Sequence, residues 1–258
     1  MQIIKYTKKG SNKYELTLKD NTKLLVYTDL ILEYNLLIRK NLDTNTLKEI
    51  KSANLKLECY YKTLKYLKNI KCTSDIKNYL KDYPSNIVDY TIKRLTKEGY
   101  LNDNNYIKSY INTKINLSNE GYYKIYYYLK NKDLDETIIK NYLNDIEDNI
   151  WLDKINKIVN TKLKSNTKYS NNLLISKIKT YLKALGYQDY LINIALDNIN
   201  LDTSKEDEKL EKDYLKLFNK YKNKYEKNKL NYILIGKLYQ KGYDLDNAKR
   251  VVETSNLW

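Results

Sequence analysis

The sequence predicts a mainly α-helical protein: tandem three-helix repeats in an elongated, curved array, preceded by a small N-terminal antiparallel β meander. Three observations carry this. There are one Pro and six Gly in 258 residues, too few turn residues for an all-β sandwich. Apolar residues recur at helical spacing almost without interruption from Thr28 onward. An ordered set of Leu, Gly, apolar residue and polar cap then returns several times along the chain.

The first 27 residues alternate with period two. Ile3, Ile4 and Tyr6 lead to a loop at Gly10-Ser11-Asn12. Tyr14, Leu16 and Leu18 follow, then a turn at Asp20-Asn21, then Leu24 and Val26, which reads as three short antiparallel strands. Three such strands are marginal alone and are expected to pack on the helices that follow. Thr28 is placed to cap a short helix through Leu36, and Thr44 or Asn45 a longer one running to Lys68.

The repeat is clearest at Tyr128-Leu129-Lys130, Tyr181-Leu182-Lys183 and Lys237-Leu238-Tyr239, with a shorter copy at Tyr79-Leu80-Lys81. Five residues after three of these leucines stand Leu134, Tyr187 and Tyr243, and Gly186 and Gly242 immediately precede the last two. The four leucines are 49, 53 and 56 residues apart, which suits three short helices per unit. A Gly after the middle helix reads as its left-handed C′ residue. The expected division is a meander with connecting helices at 1–56, then repeats at 57–102, 103–147, 148–202 and 203–258. Gly99, Gly121, Gly186 and Gly242 are expected at repeat landmarks, and Asp103 as the cap of the helix carrying Tyr106 and Tyr110.

Composition excludes several chemistries. The chain has no His, so it can hold no Ser-His-Asp triad, Cys-His dyad or His-containing zinc site. Its two cysteines, Cys59 and Cys72, make neither a four-Cys metal site nor a CxxC redox pair, and read as buried or incidental thiols. No Gly-rich phosphate loop occurs. Glu98 with Asp103, or Asp145 with Glu147, are carboxylate pairs without a nucleophile or phosphate loop beside them, so an enzyme is the least favoured class. No apolar run of about 18 residues and no signal-peptide core occur, which predicts a soluble cytoplasmic protein. Lys outnumbers Arg heavily, and Tyr, with 29 copies, stands where Phe is ordinarily found, a pattern fitting AT-rich codons.

The segment Ile92-Lys93-Arg94-Leu95-Thr96-Lys97-Glu98-Gly99-Tyr100-Leu101-Asn102-Asp103 resembles a hallmark of the bacterial regulatory protein RecX family, a helix ending in Leu-x-x-x-Gly-Tyr-Leu-Asp-Asp. Tyr106, Ser109 and Tyr110 fill the following helix in the family's manner. Thr73-Ser74 with Tyr79-Leu80, Glu120-Gly121-Tyr122-Tyr123-Lys124-Ile125 with Leu129, and Gly242-Tyr243 with Ala248 and Val252 resemble its other segments. The N-terminal strands and the Asp29-to-Tyr34 helix resemble its long form, so the likeness spans nearly the whole chain. Asn102 departs from the usual Asp, and Lys132-Asp133 replaces a Lys-Gly. The resemblance implies a non-catalytic regulator that binds the RecA recombinase filament on single-stranded DNA and modulates it in recombination and repair. It implies no cofactor and no metal.

On their own, the residues point to an anionic partner. The net charge is +15, made of +5, +4, −1, +3 and +4 over the five segments, so both ends are basic and the second repeat is near neutral. That distribution fits a mixed protein–DNA partner better than bare DNA. Two clusters are the candidate contacts. One is Lys93, Arg94 and Lys97 with Tyr90 and Tyr100. The other is Lys216, Lys220, Lys224 and Lys227 with Lys222, Lys229, Tyr221 and Tyr225 interleaved. Lysines neutralise phosphates and tyrosines stack on bases; Arg94 adds the option of a bidentate phosphate contact. Lys216, Lys220 and Lys224 at successive i,i+4 positions share one expected helix face, which like-charge repulsion disfavours unless an anion answers it. The acidic run Glu206-Asp207-Glu208 reads as a helix N-terminus. Two function classes remain: a monomeric modulator of the RecA–DNA filament, and a general single-stranded nucleic-acid-binding array with no protein partner.

Overall fold

The computed structural model describes residues 1–199, 201 and 203–255. It is mainly helical, with a three-stranded sheet at the N-terminus. The sheet is β1 (Ile3–Lys8), β2 (Lys13–Leu18) and β3 (Lys23–Tyr27), antiparallel throughout in the order β1-β2-β3. Leu16 pairs with Tyr6 on one side and Leu24 on the other, as the alternation requires. The turns contain Gly10 and Asn21, both at positive φ.

Thirteen helices follow among the described residues. They are α1 (Thr28–Glu33), α2 (Thr44–Tyr66), α3 (Thr73–Tyr79), α4 (Ser85–Lys97), α5 (Asp103–Leu117), α6 (Tyr122–Lys130) and α7 (Glu136–Asn144). Then come α8 (Asp148–Lys164), α9 (Asn171–Ala184), α10 (Asp189–Asp197), α11 (Thr203–Tyr221), α12 (Lys227–Gln240) and α13 (Leu245–Thr254). They fall into two compact units: Met1–Tyr110 with Asn131–Asp135, and Ile111–Lys130 with the described residues from Glu136 onward.

Three expected caps are corrected. α1 ends at Glu33 rather than Leu36, and Thr28 does not cap it, its hydroxyl making no hydrogen bond. α2 is capped by Asp43, whose carboxylate accepts from the Thr46 N–H at 2.7 Å, one residue before the expected Thr44. α5 is capped by Asn102, whose side-chain oxygen accepts from the Asn105 N–H at 3.0 Å. Asp103 instead accepts from the Thr73 N–H at 2.8 Å, tying the start of α5 to the start of α3. Asn is as good an N-cap as Asp, which frees the carboxylate next door for that longer contact.

In the first unit, α2 serves two cores. Leu47 and Ile50 in its first half join Leu16, Leu18, Val26, Leu30 and Leu36 beneath the sheet. Cys59 and Tyr60 in its second half join Ile76 and Leu80 with Ile87, Val88 and Leu95 of α4. Both cysteines are buried free thiols, pushed up from their ordinary pKa by that burial.

The recurring Leu-x-x-x-Gly-Tyr string has one structural meaning. At Leu182, Gly186 and Tyr187, the Gly186 N–H donates to Lys183 O at 2.9 Å and the Tyr187 N–H to Leu182 O at 3.2 Å. Leu238, Gly242 and Tyr243 do the same, with donors Gly242 to Tyr239 O at 2.8 Å and Tyr243 to Leu238 O at 3.3 Å. This is the Schellman closure, with Leu at C3, Gly at C′ and the apolar residue at C″ packing back on the Leu. Gly186 and Gly242 have φ of 87° and 85°, and Asp133, in the matching place after Leu129, has 54°. Leu95, Gly99 and Tyr100 close α4 in the same way.

In the second unit, these closures also receive the starts of other helices. The Gly121 N–H donates to Leu185 O at 2.7 Å, and the Tyr123 N–H to Gly186 O at 2.8 Å. A Cβ on Gly121 would lie 2.5 Å from Tyr187 N, and one on Gly186 would lie 2.5 Å from Lys124 N. At the second such contact, the Ser170 hydroxyl donates to Lys241 O at 2.6 Å, beside Gly242. In each case the start of one helix, α6 or α9, rests on the Schellman turn that closes a later one, α9 or α12.

The tyrosines divide between core and surface. Tyr187 is buried edge-on to Trp151 at 6.2 Å, and its hydroxyl has no partner among the described residues. An unpaired buried hydroxyl costs about 1–3 kcal/mol. Tyr187→Phe is therefore expected to stabilise the protein by about 1 kcal/mol. A lowered melting temperature for the variant would contradict that.

Candidate functional site

The first basic cluster lies on α4 and its closing turn. Ile87, Val88, Thr91 and Leu95 form the buried stripe of this helix. Lys93 and Lys97 are therefore turned outward, and Tyr100, just past the turn, is 59% exposed. Neither lysine forms an ion pair with a described carboxylate. Arg94 is differently placed. Its Nε donates to Glu98 Oε1 at 2.8 Å and its guanidinium stacks 3.8 Å from the centre of the Tyr60 ring. The Tyr60 hydroxyl closes the triangle by donating to Glu98 Oε2 at 2.6 Å. The hydrogen bonds from Arg94 and Tyr60 hold the Glu98 carboxyl below its usual range. Burial, with the Glu98 contact, pushes the Tyr60 phenol up to about 12.

Arg94 thus has its Nε tied to Glu98 and its face laid on Tyr60, which leaves its guanidinium only partly available to a phosphate. Its replacement has a structural cost as well. Arg94→Glu removes the stacking and sets two carboxylates at i,i+4, which is expected to lower stability by about 1 kcal/mol. Lys93→Glu and Lys97→Glu are expected to change stability by no more than about 0.5 kcal/mol. Urea unfolding of the three variants measures the difference, and equal values for Arg94 and Lys93 would remove the structural assignment.

The second cluster does not form the single face that its spacing predicts. α11 ends at Tyr221, so Lys216 and Lys220 lie on that helix, Lys224 lies in the turn and Lys227 opens α12. The turn occurs because α12 must come back to lay Leu230, Leu234 and Leu238 on the core that α11 supplies with Leu210, Tyr214 and Phe218. Tyr221 and Tyr225 pack against that same core, with ring centres 6.2 Å apart. Lys220 and Lys224 approach the Tyr221 ring at 5.4 and 6.0 Å, and Lys229 approaches Tyr225 at 5.7 Å. The interleaved tyrosines are packing residues with lysine ammonium groups over their rings, and not a free stacking platform.

A further basic surface is not readable from the sequence. It is a cleft of about 600 Å³ in the second unit, lined by Lys168, Lys209, Lys212, Lys216 and Lys241 with Tyr169. Its lysines come from the loop before α9, from α11 and from the end of α12, so no single stretch of sequence displays it. Of the candidate lysines, Lys216 is the one that lines it. The acidic residues at the start of α11 serve the fold: Glu206 accepts from both the backbone and side-chain nitrogens of Asn171, and Asp207 pairs with Arg250 at 3.0 Å.

Several phenols hold their protons unusually firmly. Tyr83 and Tyr187 are pushed up to about 12, foremost by burial, and Tyr190 to about 12, foremost by its hydrogen bond to Asp148. Each raised phenol, like that of Tyr60, stays neutral in the folded state where an unfolded tyrosine, near 10, ionises. Stability is therefore unchanged by these phenols below pH about 10 and falls between about 10 and 12 as the unfolded chain ionises first. Circular dichroism followed with tyrosinate absorbance is expected to show ionisation of these phenols coinciding with unfolding in that window. Full ionisation with the helices intact would contradict it.

No family model matches the chain. Curated relatives do, over nearly its whole length. Regulatory protein RecX of Oceanobacillus iheyensis is 25% identical across 96% of this chain and 95% of its own. That of Streptococcus agalactiae is 27% identical across 96% and 97%, and that of Staphylococcus carnosus 24% across 98% and 97%. Similarity over nearly the whole chain to several RecX proteins supports a place in that family. A crystal structure of regulatory protein RecX shares the fold, with a TM-score of 0.66 at 21% identity over 76% of this chain and 99% of that one. The RecX structure from Lactobacillus salivarius has a TM-score of 0.54 at 24% identity, over 57% and 99%. The RecX relatives are named as regulatory proteins. No helix among the described residues is long and apolar enough to cross a membrane.

Proposed function

We propose that this chain is a non-catalytic regulator that binds the RecA recombinase filament on single-stranded DNA and restrains its activity in recombination and repair. The observation that carries the reading is end-to-end similarity to several proteins named regulatory protein RecX. The exposed Lys93, Lys97 and Tyr100 surface supports it as one contact, with Lys216, Lys220, Lys224 and Lys227 as others. The protein acts as a cytoplasmic monomer and uses no cofactor. We further propose that its helices group as the repeats 57–102, 103–147, 148–202 and 203–258 behind the 1–56 segment; α5, α8 and α11 start at Asp103, Asp148 and Thr203.

RecA's DNA-dependent ATPase and its strand exchange, each measured with substoichiometric amounts of this protein, test the proposal. Inhibition in either supports it, and no change in both overturns it. The lysine-rich cleft favours a second reading, a single-strand-binding protein that needs no RecA. That reading requires tight binding to bare DNA with a steep salt dependence, and it fails if binding depends on RecA.

A further inference from the structure

We propose that a groove in the second unit, running across the start of α9, is a binding site for the phosphodiester chain of single-stranded nucleic acid. The lysine-rich cleft shares Tyr169 and Leu173 with an adjoining hollow of about 720 Å³ along α9, which adds Lys162, Lys177 and Tyr181 to its walls. Together the two hollows present seven lysines and, in Asp213, one carboxylate. Asp213 is already satisfied, by Lys241 Nζ at 2.8 Å and by the Tyr243 hydroxyl at 3.1 Å. Lys162, Lys168, Lys177 and Lys216 form no ion pair with any described carboxylate. Gathering like charges around a concave surface without counter-ions opposes folding and raises the local attraction for a polyanion.

The aromatic residues favour a nucleic acid over a simple anion. The half-buried Tyr169 ring has Lys177 4.7 Å and Lys168 5.7 Å from its centre. Tyr181, at 41% exposure, has Lys162 at 4.5 Å. Tyr169 with two ammonium groups and Tyr181 with one set ring beside positive charge, as base and phosphate alternate in a single strand. The Ser176 hydroxyl along the same wall of α9 offers a further donor to phosphate oxygens, whereas the Thr180 hydroxyl already donates to Ser176 O at 2.9 Å. The inference draws on the regulatory reading only for the partner's being single-stranded, and it gives that DNA a place on this chain.

The test uses the full chain and a labelled oligothymidylate of about 20 nucleotides, longer than a typical single site. Anisotropy is recorded over a range of salt for the wild type, for the triple variant Lys168→Gln/Lys177→Gln/Lys216→Gln and for the corresponding triple Arg variant. The Gln variant is expected to bind at least tenfold more weakly, with the slope of log K against log salt shallower by about 2, at about 0.7 for each phosphate left without its lysine. The Arg variant is expected to retain binding, and Tyr181→Leu to lose about tenfold. Unchanged melting of the Gln variant separates loss of binding from loss of fold. Wild-type binding and slope in the Gln variant overturn the groove, as does failure of the wild type to bind the oligonucleotide at low salt. Displacement by poly-glutamate as readily as by DNA of equal charge also overturns it, assigning the groove to an acidic protein segment. RecA ATPase, measured on the same proteins, keeps the two readings apart. A Gln variant that loses the oligonucleotide but still inhibits RecA supports the groove and leaves RecA contact to other surfaces. A wild type that binds through the groove without affecting RecA supports the groove and removes the RecA reading.

Discussion

Gly186→Ala is expected to cost about 2–5 kcal/mol. Two effects combine at this position. The residue sits at φ 87°, where an L side chain costs about 1–2 kcal/mol. Its new Cβ would also lie 2.5 Å from Lys124 N, a main-chain atom that cannot swing aside, and forced overpacking adds about 1–3 kcal/mol. Two other glycines separate these contributions. Gly99 has φ 80° but open space around it, so Gly99→Ala should cost about 1–2 kcal/mol from strain alone. Gly121 has no positive φ, yet its Cβ would meet Tyr187 N at 2.5 Å, so Gly121→Ala reports the close approach alone. Urea unfolding should rank Gly186 well above Gly99. Equal losses would mean that α6 does not rest on the turn after α9.

Leu182→Ala is expected to cost about 3 kcal/mol, through the lost transfer energy and the cavity left behind. Leu182 is fully buried, as are Leu80, Leu129 and Leu238 at the corresponding points. Leu182 also accepts, through its carbonyl, the hydrogen bond from Tyr187 that closes its helix. The side chain is thus the packing half of a turn whose other half is Gly186. At this chain length the melting temperature should fall by about 6–12 °C. Leu117, 82% exposed, is the control, and Leu117→Ala should change stability by no more than about 0.5 kcal/mol. A Leu182→Ala protein that melts with the wild type would remove these leucines from the core.

The strands and the helix-closing turns are legible in the sequence because each is local. Leu16 and Leu18 show the two-residue alternation directly, and Leu182 to Tyr187 spells out a six-residue hydrogen-bond pattern. The cap at Asn102 is not legible, because Asn102 and Asp103 cap equally well and the choice depends on Thr73, about 30 positions upstream. The break after Tyr221 is hidden for a similar reason. Local spacing allows α11 to continue through Lys224, and the return of Leu230 and Leu234 to a shared core decides otherwise. Arg94 looks free in the sequence because Tyr60, which it stacks on, lies on a different helix. The lysine-lined groove is the least legible feature. Its walls are drawn from Lys162 to Tyr181, Lys209 to Lys216, and Lys241, and charge counted along the chain cannot sum over such distances.

The double duty of α2 sets where this molecule tolerates exchange of parts. Its 23 residues hold the sheet at one end and the first helical core at the other, with Lys56 near the middle. A crossover placed within that helix would strand one apolar stripe without its cover, either Leu47 and Ile50 or Cys59 and Tyr60. Viable chimaeras of related chains should therefore splice before Asp43 or after Tyr66, where the loops at either end of α2 carry the joint without cutting a shared surface.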